Sequence, residues 1–342
     1  MLHKLSAFKK IGSIALVIYC FILLEFKAPI SFLRRSALND FITHEMSFLN
    51  FTMNYRYIML PNLSICDGSH DPAPLLVATV LSTASRSEMR RAIRESWASA
   101  RESENIANGR MLVYFLLSSP TSAHDLYVLR KEQQKHNDLI VTDLPESYDN
   151  LVLKVYASMV FHQQYCPAAQ FLMKVDDDVG IHVDRMFRLW NIDEKANSSL
   201  YCLLWDKSKP KRDPRNKWFV SMSLWPSPHF PPYCNGPMYV MGKTAGQTII
   251  DQAQIFPLMT IEDLFYTGLI AETAGVRRVS WKRSMLHSSK DLFRGRIKCS
   301  ASNEPLLFSV HSLPIPERMR KGYQILKLYK CRSSKTVTDK KS

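Results

Sequence analysis

Residues Phe171–Asp178 read Phe-Leu-Met-Lys-Val-Asp-Asp-Asp, an apolar run of strand length that passes directly into three adjacent carboxylates. Upstream, Leu75–Leu81 (LLVATVL), Met111–Leu117 (MLVYFLL) and the shorter Leu139–Val141 are further buried-strand candidates. Helical stretches separate them. Residues 87–97 carry Met89, Ile93 and Trp97 at i, i+4, i+8, residues 122–136 suit a polar-faced helix, and Leu151–Phe161 sets Leu151, Val155 and Met159 on one face. Such alternation predicts crossover connections and a largely parallel α/β sheet covered on both sides. Ligands of open α/β sheets bind beyond the carboxyl ends of the strands. Asp176, Asp177 and Asp178 fall at that position, where they repel one another unless a cation neutralises them. Oxygen donors of this kind select Mg²⁺ or Mn²⁺, and a divalent cation shared with a diphosphate meets the need. The alternative is an acidic turn capping the next helix. Three carboxylates in succession after an apolar strand favour the metal.

Glu262-Asp263 lies between Met259-Thr260-Ile261 and Leu264-Phe265. Partial burial there would raise a carboxyl pKa toward the range of a general base, although a helix start with Thr260 as N-cap explains the pattern equally. In Phe230-Pro-Pro-Tyr-Cys-Asn-Gly-Pro-Met-Tyr-Val240 two prolines stiffen the chain and Gly236 admits close backbone approach to a ligand; a buried turn with a disulfide would read the same way. His287 and His311 stand in ordinary surroundings, where a lone histidine is usually structural. Dinucleotide, Walker, nucleophile-elbow and zincin motifs are all missing from the sequence.

The chain has 342 residues, 46% of them hydrophobic, with 11 Gly and 18 Pro, which excludes collagen and low-complexity disorder and allows one large core or two small ones. Net charge is +14. Residues 317–342 hold nine Lys and Arg against Glu317 and Asp339, so half the surplus sits at the C-terminus and nucleic acid is not the expected partner. Lys4, Lys9 and Lys10 precede an apolar stretch, Ile11–Leu24, with no convincing small-x-small cleavage site after it, which favours an uncleaved signal-anchor over a cleaved secretory signal. The resulting plan is a cytoplasmic tail 1–10, a signal-anchor helix 11–26, a stem 27–73, a lumenal catalytic domain 74–331 and a basic tail 332–342. Sequons at Asn50, Asn62 and Asn197 agree with a lumenal body. So does the cysteine count, since six residues outside the apolar stretch permit three bridges, with 15 connectivities open.

Several segments together resemble glycosyltransferase family 31, the β-1,3-galactosyltransferase and β-1,3-N-acetylglucosaminyltransferase group, from about residue 75 to 320. They are Arg90-Arg91-Ala-Ile93-Arg94-Glu-Ser-Trp97, Glu146-Ser-Tyr148-Asp-Asn150-Leu-Val-Leu-Lys154, Lys174-Val-Asp176-Asp177-Asp178, Lys217-Trp218 through Tyr233-Cys234-Asn-Gly236-Pro-Met-Tyr239-Val240, Glu262-Asp263-Leu-Phe-Tyr-Thr-Gly268, and His311-Ser-Leu-Pro314 onward. The glutamate–aspartate element has one extra residue before its glycine. Pro237-Met238 replaces a glycine-rich segment, and Val179-Gly180-Ile181-His182 stands where an aromatic-Val-Asn run is usual. The resemblance implies a GT-A-type, Rossmann-like nucleotide-sugar domain in a type II Golgi membrane protein. It further implies a UDP-sugar donor, UDP-galactose favoured over other UDP-hexoses, and inverting β-1,3 transfer to an acceptor glycan on glycoprotein or glycolipid. Asp178 and His311 would then hold Mn²⁺ or Mg²⁺, Asp263 would be the base, and Asp176, Asp177 and Gly236 would contact the donor; Arg90 and Arg94 are candidates to pair with its phosphate oxygens, exposed helix arginines being the alternative. A catalytically silent, membrane-anchored binder of glycans or nucleotide sugars is the rival reading.

Overall fold

The computed structural model describes residues 42–69 and 71–331. The expected tail 1–10, the anchor 11–26, the basic tail 332–342 and residues 27–41 of the expected stem lie outside the described residues. Two units divide the chain, residues 1–44 and 45–342, and the second holds the fold.

In chain order the elements are β1 (His44–Phe48), β2 (Phe51–Tyr55), β3 (Tyr57–Met59), β4 (Leu76–Leu81), α1 (Ser87–Arg94), β5 (Met111–Ser118), α2 (Ala123–His136), β6 (Leu139–Thr142), α3 (Leu151–Tyr165), β7 (Phe171–Asp176), β8 (Gly180–Ile181) and α4 (Val183–Leu189). There follow β9 (Ser199–Trp205), β10 (Tyr233–Gly242), α5 (Lys243–Ala253), α6 (Glu262–Leu264), β11 (Arg277–Ser280), β12 (Met285–Leu286), β13 (Ser309–Val310) and α7 (Pro316–Leu328). Eight strands form one sheet in the order β11-β9-β10-β7-β4-β5-β6-β3. Its centre, β7-β4-β5-β6, is parallel, with Leu76 opposite both Phe171 and Met111 and Phe115 opposite Leu139.

The sheet as a whole is mixed, which corrects the largely parallel expectation. β10 runs antiparallel to β7 and β9, and β3 antiparallel to β6. The physical reason is the connection: the chain between β9 and β10 returns as a loop, so those strands pair without a crossover helix. Period-two alternation divides the core between the two faces. Val77 and Leu81 of β4 pack with Val152, Val155 and Met159 of α3 and Ile249 of α5. Ala78 and Val80 face Met89 and Ile93 of α1, Met186 of α4 and Tyr323 of α7.

A second correction concerns the stem. From residue 45 the chain is built into the domain: β3 extends the sheet, and Met46, Phe48, Tyr55 and Tyr57 lie in the core beside α3. The alternating exposure of β1 and β2 marks half-buried strands of five residues, too short to show a sustained period in the sequence. Within the basic C-terminal run, α7 pairs Arg320 with Glu95 and Lys327 with Glu102 at 2.7 and 2.6 Å. The disulfides are Cys66–Cys166, Cys202–Cys234 and Cys299–Cys331.

Candidate active site

β4 ends at Leu81 and β7 at Asp176, side by side in register, so their carboxyl ends open at one place. Asp177 turns toward β4, where its Oδ2 accepts from Ser82 Oγ at 2.9 Å and from Arg86 Nε at 2.7 Å. Asp176 turns the other way, to Lys174 Nζ at 2.7 Å. Lys174 is the charged residue inside an otherwise apolar strand, and it is 1% exposed. Burial opposes its charge, but Asp176 and Glu262 outweigh that and hold its pKa above the ordinary value. Its ammonium also donates to the Gly236 carbonyl at 2.5 Å and lies 3.5 Å from Glu262. One buried cation thus ties β7, β10 and α6 together.

The register of β10 on β9 breaks between Cys234 and Tyr239, and Gly236 lies in that irregularity. A Cβ at Gly236 would stand 2.9 Å from Asp263 Oδ2. The glycine therefore makes room for this carboxylate. After α6 the chain continues as a π-helical turn, Phe265–Ile270. There Thr267 Oγ1 donates to the Asp263 carbonyl at 2.5 Å and accepts from Cys234 N at 2.9 Å. The two acids of the pair differ. Glu262 is 4% exposed, hydrogen-bonded by Tyr239, and burial pushes its pKa up to about 7 against the pull of Lys174. Asp263 is partly exposed, accepts from Leu264 N at 2.8 Å, and is raised chiefly by burial.

Asp178 Oδ2 lies 3.2 Å from His311 Nε2. Nδ1 of His311 is 2.8 Å from the His287 carbonyl, which only accepts, so Nδ1 carries hydrogen and Nε2 is left to face the carboxylate. Burial opposes a charge on His311, but when protonated it donates from Nε2 to Asp178, which together with the His287 carbonyl raises its pKa. Neutral, it offers Nε2 beside the carboxylate, and a histidine fixed through its second nitrogen by a carbonyl is the usual setting of a metal ligand. Among the described residues no group of three or more His, Cys, Asp and Glu forms a ready cage. The donor set nevertheless fits a hard divalent ion of the Mg²⁺ or Mn²⁺ type, which commonly takes one or two protein ligands and completes its shell with phosphate and water.

Two hollows flank these carboxylates. The larger, about 530 Å³, is lined by Asp176, Glu262, Asp263, Gly236, His287 and His311 with an aromatic wall that includes Trp205, Trp218 and Tyr233. A smaller one, about 430 Å³, is lined by Ser82, Thr83, Arg86, Lys154 and Asp176–Asp178. Asp176, Asp178, Gly236, Asp263 and His311 are thereby gathered at one sheet end, with Asp177 beside them. Arg90 and Arg94 line neither hollow, although Arg90 Nη1 donates to Ser82 Oγ at 3.3 Å and to the Thr83 carbonyl at 2.5 Å, just behind the smaller one. Arg90 is fully buried and forks onto Glu132 at 2.7 and 2.8 Å, while Arg94 spans Glu132 and Asp138 at 2.7 Å. Those carboxylates absorb both charges and pin α1 to α2. The basic residues that line the smaller hollow are Arg86 and Lys154, the latter 2.7 Å from Glu146. Lys174 was signalled by being a charge in a core strand; no sequence signal marked His287, whose ring lies 5.2 Å from that of His311.

A sequence model of the Galactosyltransferase family matches residues 88–282, from α1 through β11, taking in Asp176–Asp178 and Asp263. The protein is a glycosyltransferase, and the chain belongs to the Galactosyltransferase family. Human beta-1,3-galactosyltransferase 5 is 31% identical over 77% of this chain and 80% of its own length. The Pan paniscus protein of the same name is 30% identical over 70% and 76%. Mouse beta-1,3-galactosyltransferase 1 is 28% identical over 59% and 61%. Among solved structures, a glycosyltransferase involved in glycosylation of the major capsid of PBCV-1 aligns with TM-score 0.39 at 9% identity, over 74% of this chain and 100% of that one. Mouse xyloside xylosyltransferase 1 aligns with TM-score 0.34 at 9% identity, over 70% and 97%.

Proposed function

We propose that the chain is an inverting β-1,3-glycosyltransferase of GT-A type that moves a sugar, galactose favoured, from a UDP-sugar to a hydroxyl of an acceptor glycan. The observation that carries this reading is one cleft in which Asp263, an aromatic wall and Asp176 meet, adjoined by a second hollow lined by Asp176–Asp178 at the same strand end. Ser82, Thr83, Arg86 and Lys154 form a polar, basic wall for the nucleotide end of the donor. Aromatic faces at Trp205, Trp218 and Tyr233 suit the apolar faces of sugar rings. Asp263, partly desolvated and held by the Leu264 amide, takes the proton of the acceptor hydroxyl as its oxygen attacks the anomeric carbon and the bond to UDP breaks. Asp178 and His311 would hold Mn²⁺ or Mg²⁺, which when bound supplies positive charge to the diphosphate. Three disulfides favour an oxidising compartment, so a Golgi location on a single N-terminal membrane anchor forms part of the proposal.

The test is a panel of UDP-sugars and β-glycoside acceptors incubated with the purified full chain, with and without Mn²⁺, the product linkage being read by NMR. Metal-dependent transfer to a 3-hydroxyl is the expected result. Saturable UDP binding with no turnover on any donor and acceptor pair would replace this reading with that of a silent binder.

A further inference from the structure

Lys209, Lys211 and Lys217 also line the larger hollow, all on the loop between β9 and β10 and all exposed. Among the described residues, the one ion pair within that loop joins Arg215 to Asp213, which leaves the three lysines without a carboxylate partner. The loop is nevertheless firmly built. Arg212 donates to four carbonyls, those of Val220, Ser221, Trp225 and Ser227, at 2.6–3.1 Å. Val220 N bonds the Lys211 carbonyl at 2.9 Å, and Lys217 Nζ sits 3.7 Å from the centre of the Tyr148 ring. Positive charge is thus held over the cleft by a braced loop.

The basic side chains assigned above to the donor's nucleotide end line a different hollow. Arg86 and Lys154 line the smaller hollow beside Asp178, whereas Lys209 and Lys211 line the larger one alone, with Asp263 and the aromatic wall. A concave basic surface next to the base selects for negative charge on the molecule that enters there. We propose that the acceptor is an anionic glycan, bearing a sulfate ester or a carboxylate on a sugar seated against Lys209 and Lys211. This deepens the transfer reading above and rests on it.

The experiment uses the full chain with its UDP-sugar and three matched acceptors: a neutral β-glycoside, its O-sulfated form and a uronate-bearing form. At about 50 mM salt, kcat/KM for at least one charged acceptor exceeds that for the neutral one by about tenfold, and the advantage shrinks at about 300 mM as screening sets in. Which charged form wins separates sulfate from carboxylate. In the double variant Lys209→Ser/Lys211→Ser, two exposed positions, the charged-to-neutral ratio falls by about tenfold while the KM for the donor holds. Equal use of all three acceptors, unmoved by salt and by the double variant, would overturn this inference and leave the transfer reading standing. A loss of donor affinity in the double variant would assign the lysines to the diphosphate and overturn it as well. Binding of the chain to anionic vesicles, lost in the variant without any acceptor preference, would make the loop a membrane contact instead. Transfer to none of the three would overturn the transfer reading and this inference with it.

Discussion

Glu262 and Asp263 are adjacent in sequence, yet their surroundings assign them different work. Glu262 is closed in by Tyr239 and Lys174, while Asp263 keeps access to the cleft. Replacing Asp263 by Asn removes the proton acceptor but keeps shape and hydrogen bonds, so kcat should fall by roughly 10²–10⁴-fold with UDP affinity nearly unchanged. Steady-state kinetics beside UDP titration check this, and joint loss of both would mark Asp263 as structural. For Glu262 the prediction concerns pH. Its carboxyl is pushed up to about 7 in the folded chain, so the native state binds a proton that the unfolded chain has already released. That contribution is complete below the unfolded value of 4.5 and is lost as pH rises to about 7. Glu262→Gln should flatten this decline, which amounts to a few kcal/mol at most, and denaturant midpoints across pH 4.5–7.5 measure it. If the variant and the parent decline in parallel, another group carries the effect. At this scale the sequence was legible where residue type met position: carboxylates at a strand end, an acid between apolar neighbours. It was silent on Arg90 and Arg94, whose partners Glu132 and Asp138 are distant in the chain and reach them only through packing.

Local irregularities at the level of elements aim the site. The break of register at Gly236 and the π-helical turn after α6 face one another across Asp263. A π turn holds one more residue than an α turn, and such turns gather at functional sites. The residue that looked like an insertion ahead of Gly268 is thus taken up in the turn that places Thr267 between Asp263 and Cys234. Gly236→Ala would force the Asp263 carboxylate aside, so transfer should drop by more than about tenfold and stability by about 1–3 kcal/mol. Gly275, at φ +66° with open space around its Cβ position, is the control. Gly275→Ala should lose about 1 kcal/mol from backbone strain with kcat unchanged. Equal losses of activity in both variants would show that general destabilisation, and not the aim of Asp263, explains the first. The central strands β4, β5, β6 and β7 were readable because burial on both faces makes their sequences continuously apolar. β11, with the sequence RRVS, is an edge strand whose identity comes from its pairing with β9, and no local pattern announces it.

For the whole molecule, the boundary of the domain is the point on which sequence and structure diverge most. A domain beginning at residue 74 would lack β3, the buried side chains of Met46, Phe48, Tyr55 and Tyr57, and the partner of Cys166. Each of those side chains contributes about 1.5–3 kcal/mol by burial. The Cys66–Cys166 bridge closes a loop of 100 residues, which in the chain-entropy account is worth about 4.7 kcal/mol. Together these come to about 11–17 kcal/mol, comparable with the whole margin of about 5–15 kcal/mol on which folded domains rest. Expressed in a secretory host behind a cleavable leader, residues 74–342 should therefore be retained or form Cys166-linked oligomers, whereas residues 42–342 should be secreted as a monomer with three bridges. Yields and non-reducing gels distinguish the two. The double variant Cys66→Ala/Cys166→Ala in the longer form separates causes: it removes the unpaired thiol while keeping β1–β3 and the aromatic packing. Should that variant be secreted nearly as well as the parent while the short form is not, strand β3 and the aromatic core set the boundary. Should it fail as the short form does, the bridge sets it.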